Sequence, residues 1–455
     1  MTHQSVLSSN VIIKEVFTSL NNNSIQYVVL RNYDGLPDVV GHDIDLLVEE
    51  ESLDLFIRIF NRVIRDNGWI SIQIQNRFCF VSFIVTPVSH EHSPFVTLKW
   101  DIWAPITFNG IPWIDAKKIL VNRKLYSGLF FIPTPGAESA TLLLKDLIQG
   151  KIIKPVYFNR IRSFYLADPK QFKSVLTGAF STDITDELGF AIQNENFDSI
   201  ERKSSQLKKV LVKQSITVHP LSTFFCFIRF ITGHLKDYLN GRNRVFICFI
   251  GPDGSGKSTI SQMVIQSIQD VFADVQYFHG HFAILPPLSS IHSGSKNKPK
   301  KQEARIRNRK GKILGKIPAS LMMMYYSLDY ILGFFWIFIC RRKFDFVIFD
   351  RYFYDYIIQP IPFTLQSPLY RFLLALIPKP DIVIFLQSSA EIIYQRKPEL
   401  SIPELTRQID ICNQVVQNLE MAYTVDNTQP KDIVVQMIRR RILEVLIKNA
   451  KEIYG

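Results

Sequence analysis

The chain has 455 residues and a mass of 52.7 kDa, with 53 Lys and Arg against 41 Asp and Glu, a formal net charge of +12. A composition of 47% hydrophobic and 21% charged residues excludes wholesale disorder, and the length predicts more than one domain. Five scattered cysteines with no C-x-x-C pair exclude a disulfide scaffold and a cysteine-based zinc site, and fit a reducing cytosol.

The opening MTHQSVLSSN has neither a basic n-region nor an apolar h-region, so no secretory leader is expected and the location reads as cytoplasmic. Residues 1–135 predict an α+β domain, with strand-like runs at 27–30, 45–48, 78–85 and 95–103 between helical stretches. Asp43 and Asp45 are two residues apart and so share a strand face, while Asp101 lies in the last run. Three carboxylates from adjacent strands could hold a second Mg²⁺ site for in-line phosphoryl chemistry. The plainer alternative for a D-x-D pair is a solvated strand face. The run Gly41-His42-Asp43-Ile44-Asp45, taken with Asp101, resembles the nucleotidyltransferase-like fold over about residues 26–103. That resemblance implies either nucleotidyl transfer or a degenerate domain that binds nucleotide or a partner. The family's usual Gly-Ser before the carboxylates is here Gly41-His42.

Residues 136–240 have helical periodicity and read as a helical extension and linker. From residue 241 the pattern becomes strand, glycine-rich loop and helix, repeated, which predicts an open α/β domain to the C-terminus. The apolar strand 245–250 runs into Gly251-Pro252-Asp253-Gly254-Ser255-Gly256-Lys257-Ser258-Thr259, a match to G-x-x-x-x-G-K-[ST] in its required strand-loop-helix context. Glycines at those positions let backbone N–H groups close around a phosphate, Lys257 reaches the β- and γ-phosphates, and the Ser258 hydroxyl can ligate Mg²⁺. No N-K-x-D follows, which argues against guanine selection.

A basic insertion follows at 287–318, in which residues 295–316 hold +9 of the chain's +12 and leave +3 for everything else. It reads as a solvated flexible insertion, a phosphate-gripping loop, or a patch for membrane or nucleic acid. The remaining chain lacks the interleaved basic and aromatic residues of a nucleic-acid groove, so nucleic acid is disfavoured. The apolar run 321–340 has the length of a membrane span, but Asp329 sits near its middle and it separates two strands of one expected sheet. A buried or amphipathic helix is the favoured reading, with peripheral membrane contact as the lesser one. The next apolar strand ends in Asp350-Arg351-Tyr352: the carboxylate can hold the Mg²⁺ shell and the guanidinium can grip an acceptor phosphate. A third strand at 381–386 leads to a helix from Ser389 that ends in Arg396-Lys397.

The stretches GPDGSGKST, FVIFDRYFYDY and PKPDIVIFLQSSAEIIYQRK together resemble the thymidylate kinase family of nucleoside monophosphate kinases, over about residues 244–455. Fusions of such a domain to a nucleotidyltransferase-like one are a known bacterial arrangement. The resemblance implies a P-loop NTPase domain with a five-stranded parallel sheet and transfer of the ATP γ-phosphoryl group to an acceptor. It also implies that Asp253 faces the acceptor's hydroxyl, Arg351 its phosphate, and Arg396 the lid over ATP. The plainer alternatives are a loop carboxylate for Asp253 and a surface charge for Arg396. The family's Glu-Gly pair is Ile250-Gly251 here, and its R-E-P-G segment is replaced by residues 276–282 with His279 and His281. These histidines read as structural or acceptor-loop groups rather than metal ligands.

The expected protein is therefore an α/β kinase that uses ATP and Mg²⁺ on a small phosphorylated acceptor. The acceptor's identity stays open, as does oligomeric state, a homodimer included. A nucleotide-gated module attached to a membrane surface or partner, and nucleotidyl transfer by the N-terminal domain, are the alternatives.

Overall fold

The computed structural model describes residues 8–40, 43–77, 79–88, 96–108, 110–114, 116–148, 152–218, 220–239, 243–269, 271–272, 275–280, 282, 284–286, 316–341, 346–358 and 363–454. Gly41, His42 and His281, and the basic insertion up to residue 315, lie outside them. The chain divides into two compact units, Met1–Arg242 and Asn243–Gly455.

The first unit opens with α1 (Ser9–Asn22), β1 (Tyr27–Arg31), β2 (Ile44–Val48), α2 (Leu53–Asp66), β3 (Trp69–Arg77), β4 (Phe80–Pro87) and β5 (Leu98–Trp103). The five strands form one mixed sheet in the order β1-β2-β5-β4-β3, with β2 and β5 parallel and the other pairs antiparallel. Burial follows from the period of two. Tyr27 and Val29 face a core with Phe17, Phe56, Phe60 and Trp100, while Val28 and Leu30 face the opposite core. Both faces of β1 are covered, which is why its sequence is a continuous apolar run rather than an alternation.

The strand expected at 78–85 is half of a hairpin. Its partner β3 is concealed in sequence by Gln73, Gln75 and Asn76, and the turn passes through Cys79 at φ 61°. Two small hairpins follow, β6 (Thr107–Phe108) with β7 (Ile111–Pro112) and β8 (Lys124–Tyr126) with β9 (Phe130–Ile132).

Helices then dominate: α3 (Ala116–Leu120), α4 (Pro135–Ile148), α5 (Phe158–Ala167), α6 (Pro169–Leu176), α7 (Thr182–Gln193), α8 (Phe197–Arg202), α9 (Ser204–Val218) and α10 (Pro220–Leu239). They were expected as a separate extension. Instead Leu143, Leu144, Phe172 and Ile192 share one hydrophobic core with Val28, Leu30 and Leu47 of the sheet. The reason lies in α4, which is buried on nearly all sides and needs cover from both sheet and helices.

The second unit is a parallel sheet in the order β11-β12-β10-β13-β14, built from β10 (Val245–Ile250), β11 (Val275–His279), β12 (Phe346–Asp350), β13 (Ile382–Gln387) and β14 (Ala422–Asp426). Around it lie α11 (Lys257–Ser267), α12 (Lys316–Arg341), α13 (Asp355–Ile358), α14 (Pro368–Leu376), α15 (Ala390–Arg396), α16 (Ile402–Gln417) and α17 (Lys431–Tyr454). β10 and β12 are buried at every position, as the centre of a parallel sheet requires. Asp381 precedes β13 rather than opening it, and its carboxylate accepts the Phe246 N–H at 2.7 Å.

The apolar run 321–340 lies within one helix, α12. One of its faces packs inward through Met323, Tyr326 and Tyr330, and Asp329 accepts the Leu285 N–H at 2.7 Å. A Cβ on Gly333 would come within 2.0 Å of the Phe282 ring, so only glycine permits this close approach. Among the described residues no single helix is long and apolar enough to cross a membrane.

Candidate active site

All five strands of the second unit end on one edge, and the loops that leave those ends carry the polar groups. β10 enters the glycine-rich loop, where Gly251, Gly254 and Gly256 all have positive φ. At Gly256 a Cβ would also lie 2.7 Å from Asn427 Nδ2, so the turn into α11 is closed to larger residues twice over. Lys257 opens α11. Its buried ammonium donates to the carbonyls of Gly251 at 2.6 Å and Pro252 at 2.9 Å, curling back over the loop.

Asp350 ends the adjacent strand β12, in register with Phe249 and with His279 of β11. That register explains its company. Ser258 Oγ and Tyr277 OH donate to its Oδ2, the latter at 3.0 Å, and His279 Nδ1 lies 3.3 Å away. Burial would raise the Asp350 pKa, but the His279 hydrogen bond, the Lys257 charge and the Ser258 hydroxyl hold it at about 2. Tyr277 is pushed up to about 12 by burial and by this carboxylate, so it stays a neutral donor. The other oxygen, Asp350 Oδ1, is buried and has no hydrogen-bond partner. A buried ionised oxygen left bare is costly.

Arg351 follows at φ 73°, and its guanidinium is ion-paired with Asp253 and lies 3.8 Å from Asp355. Lys397 Nζ is 3.8 Å from Asp253 on the other side. Burial opposes ionisation of Asp253, but Arg351, Lys257 and Lys397 hold its carboxyl below the ordinary value. Burial pushes Asp355 up to about 7, against the pull of Lys257 and Arg351. These groups surround a cavity of about 800 Å³, whose wall includes Lys257, Ser258, Thr259, Asp350, Arg351 and Arg396.

The structure thus brings Asp253, Lys257, Ser258, Asp350, Arg351 and Arg396 to one cavity, with Gly254, Gly256 and Thr259 in its wall. Gly251, Pro252 and Ser255 are buried rather than part of that wall, the first two as acceptors for Lys257. Sequence reasoning missed Tyr277, Asp355 and the turn 427–431. In that turn Asn427 Nδ2 donates to the Ser255 carbonyl at 2.6 Å. The available signal was position: a polar turn after the last parallel strand falls at the edge where open α/β sheets bind ligands.

The first unit holds the other expected constellation, and it is built differently. Asp45 and Asp101 are direct register partners on parallel β2 and β5, whereas Asp43 precedes β2, which begins at Ile44, so it does not share a strand face with Asp45 as expected. Each is nevertheless matched by a cation. Asp45 is 1% exposed and accepts from Arg31 Nε at 2.7 Å and Lys145 Nζ at 2.9 Å. Lys99 bridges Asp43 at 2.5 Å and Asp101 at 3.3 Å, and Ser82 donates to Asp101 at 2.6 Å. Burial opposes ionisation of Asp45, but Lys145 and Arg31 outweigh it and hold its carboxyl low. The Asp101 carboxyl is raised by burial, with Asp45 and Asp43 adding to the shift against Lys99. Among the described residues no group of three or more His, Cys, Asp or Glu is arranged to hold a metal ion. In this structure the expected second Mg²⁺ residues Asp43, Asp45 and Asp101 are paired with Arg31, Lys99 and Lys145.

No protein-family model matches the chain, and no curated protein is significantly similar to it.

Proposed function

We propose that the second unit is a P-loop kinase domain that transfers the γ-phosphoryl group of ATP to a small phosphorylated acceptor, as its resemblance to thymidylate kinases suggests. The observation that carries this reading is the meeting of Lys257, Ser258 and an Asp350 oxygen without a partner at one end of the parallel sheet. Mg²⁺ is a hard cation that keeps several waters and takes one or two protein oxygens beside substrate phosphates. One hydroxyl and one carboxylate suit that demand, so Ser258 and Asp350 would hold it. When bound, the metal neutralises charge on the phosphates.

The chain's own residues do the rest. Lys257 exchanges its two loop carbonyls for phosphate oxygens, and the N–H groups at the start of α11 point the same way. Arg351, held by Asp253, grips the acceptor phosphate bidentately, and Arg396 and Lys397 on the cavity wall offset charge on the transferring group. His279 and Tyr277 keep Asp350 oriented and ionised. Such transfer depends on positioning and electrostatics, so no dedicated base is required.

The test is a screen of nucleoside monophosphates, phosphosugars and other anionic metabolites with γ-labelled ATP on the full chain. Label should pass to one acceptor class, and Lys257→Ala and Arg351→Ala should each remove most of the transfer. ATP binding without transfer to any acceptor, or near-normal turnover by Lys257→Ala, overturns the proposal.

A further inference from the structure

The last two helices of the first unit reverse the usual arrangement of a surface helix. On α10 the half-buried positions among the residues whose side chains are described are Thr223, Cys226, Phe230, Gly233 and His234, one helical face, and they point at the body of the unit. The opposite face is apolar and exposed: Leu221, Phe224, Ile228, Ile231 and Leu235 recur at spacings of three and four, flanked by Phe225 and Phe227. Leu221 is 73% exposed, Phe224 59% and Phe225 60%, values at which each ring or chain costs free energy in water. At 3.6 residues per turn the stripe from Phe227 round to Phe225 spans roughly 160°, wider than the two-position seam that a partner helix would cover. α9 adds Ile216 and Val218 across a bend of 119°.

Two observations say what covers this face. The first is charge: from Ser204 to Leu239 the two helices carry Lys208, Lys209, Lys213, Arg229 and Lys236 against the single carboxylate Asp237. Arg229 is 3.7 Å from Glu50 outside the segment. The second is how the hydroxyls are satisfied. Thr232, exposed among the apolar residues, donates to the Ile228 carbonyl at 2.9 Å, Thr217 to Lys213 at 2.9 Å, and Thr223 to Ser215 at 2.9 Å. Hydroxyls spent within the two helices of the corner need no partner from outside, which is the condition for entering a medium that offers none.

We infer that the α9–α10 corner lies in the surface of an anionic lipid bilayer, with Phe224, Phe225, Ile228 and Ile231 in the acyl boundary and the lysines of α9 at the headgroups. Lying in the plane accords with the lengths, since neither helix alone could span. An apolar groove of about 480 Å³ beneath the corner, lined by Ile111, Val212, Ile216, Phe224 and Phe227, adds area for lipid chains. This attachment surface is separate from the proposed kinase cavity and stands whether or not that reading holds.

The experiment is flotation of the full chain with vesicles of phosphatidylcholine alone, or of phosphatidylcholine with about one third phosphatidylserine. The protein should float with the anionic vesicles, and added salt should weaken the association. Phe224→Ser/Ile228→Ser/Ile231→Ser should reduce the vesicle-bound fraction about tenfold or more. These positions are solvent-facing, so circular dichroism and the thermal transition should not change. A Phe224→Trp variant gives an independent reading, with emission shifting to the blue on anionic vesicles. The inference is overturned by failure of the wild-type chain to bind, or by wild-type binding in the triple variant. It is also overturned if the face proves to join two copies of the chain, seen as a dimer by sedimentation that the triple substitution dissociates.

Discussion

The molecule carries two buried strand carboxylates, Asp350 on β12 and Asp45 on β2, and they differ in what surrounds them. At Asp350 one oxygen is fully engaged by Ser258, Tyr277 and His279, the other is bare, and an 800 Å³ cavity opens beside it. At Asp45 both oxygens are engaged, one by Arg31 and the other by Lys145, and Lys99 bridges the two neighbours. The first arrangement leaves one carboxylate oxygen without a partner, while the second satisfies both. A carboxylate's strand position therefore says less about chemistry than the reach of the nearest lysine or arginine.

The largest test of this contrast is on turnover. Asp350→Asn keeps the shape but removes the charge that would hold Mg²⁺, so phosphoryl transfer should fall by about 10³-fold. Asp45→Asn should leave transfer within about threefold of wild type, since its charge serves the network around it. Measuring both rates with the same acceptor breaks the comparison if Asp45→Asn proves the more damaging.

On stability the order should reverse. Asp45→Ala strands Arg31 and Lys145 with only 22% and 14% of their side chains exposed, which should cost about 3–5 kcal/mol in denaturant unfolding. Asp253→Ala should cost less, about 1–2 kcal/mol, because Arg351, although only 18% exposed, keeps Asp355 3.8 Å away.

The response to pH should separate Asp45 from Asp355 in sign. Asp45 has a folded pKa held low, so its stabilisation is present above the ordinary carboxylate value and is lost as pH falls through the folded one. Asp355 is raised from 3.8 to about 7, so the native state keeps a proton that the unfolded state has already released. Its contribution is therefore most favourable below pH 4, declines as pH rises to 7, and is level above that, a change on the order of 4 kcal/mol. Asp355→Asn should flatten that decline, and Asp45→Asn should flatten the acid-side loss instead. Unfolding curves at about pH 2.5, 4, 5.5, 7 and 8 distinguish the two, and parallel slopes in wild type and Asp355→Asn would refute the assignment.

What could be foreseen from sequence tracks how local each determinant is. The glycine loop, Lys257 and Ser258 are contiguous, and the strand before them is a plain apolar run, so loop and helix could be placed together. Asp350 needed only the end of a second apolar strand. The network around Asp45 could not be foreseen, because Arg31, Lys99 and Lys145 come from β1, β5 and α4, and their meeting depends on sheet order rather than spacing. The strand β3 escaped notice because Gln73 and Gln75 break its apolar pattern. The helices after residue 135 read as an extension because a core shared with a distant sheet leaves no mark in helical period alone.

The smallest expected effect falls on Asn427, where sequence distance is greatest. Its side chain donates to the Ser255 carbonyl from 172 residues away, and its own N–H bonds the Gln387 carbonyl at 2.8 Å. One residue thereby ties the ends of β13 and β14 to the glycine loop beside the central strand. Ser255 itself is fully buried and its hydroxyl has no hydrogen-bond partner, so little else fixes that carbonyl. Asn427→Ala should cost about 1 kcal/mol of stability, the net worth of one hydrogen bond. If the loop's shape is what prepares the phosphate site, the same substitution should weaken ATP binding severalfold with little change in turnover at saturation. The equivalent loss at the Asp45 network, Ser82→Ala, removes one donor from Asp101 and should leave ATP binding unaltered. Calorimetric titration of both variants with ATP decides the matter: equal affinities would mean that Asn427 only braces the fold, and that the prepared loop rests on its glycines alone.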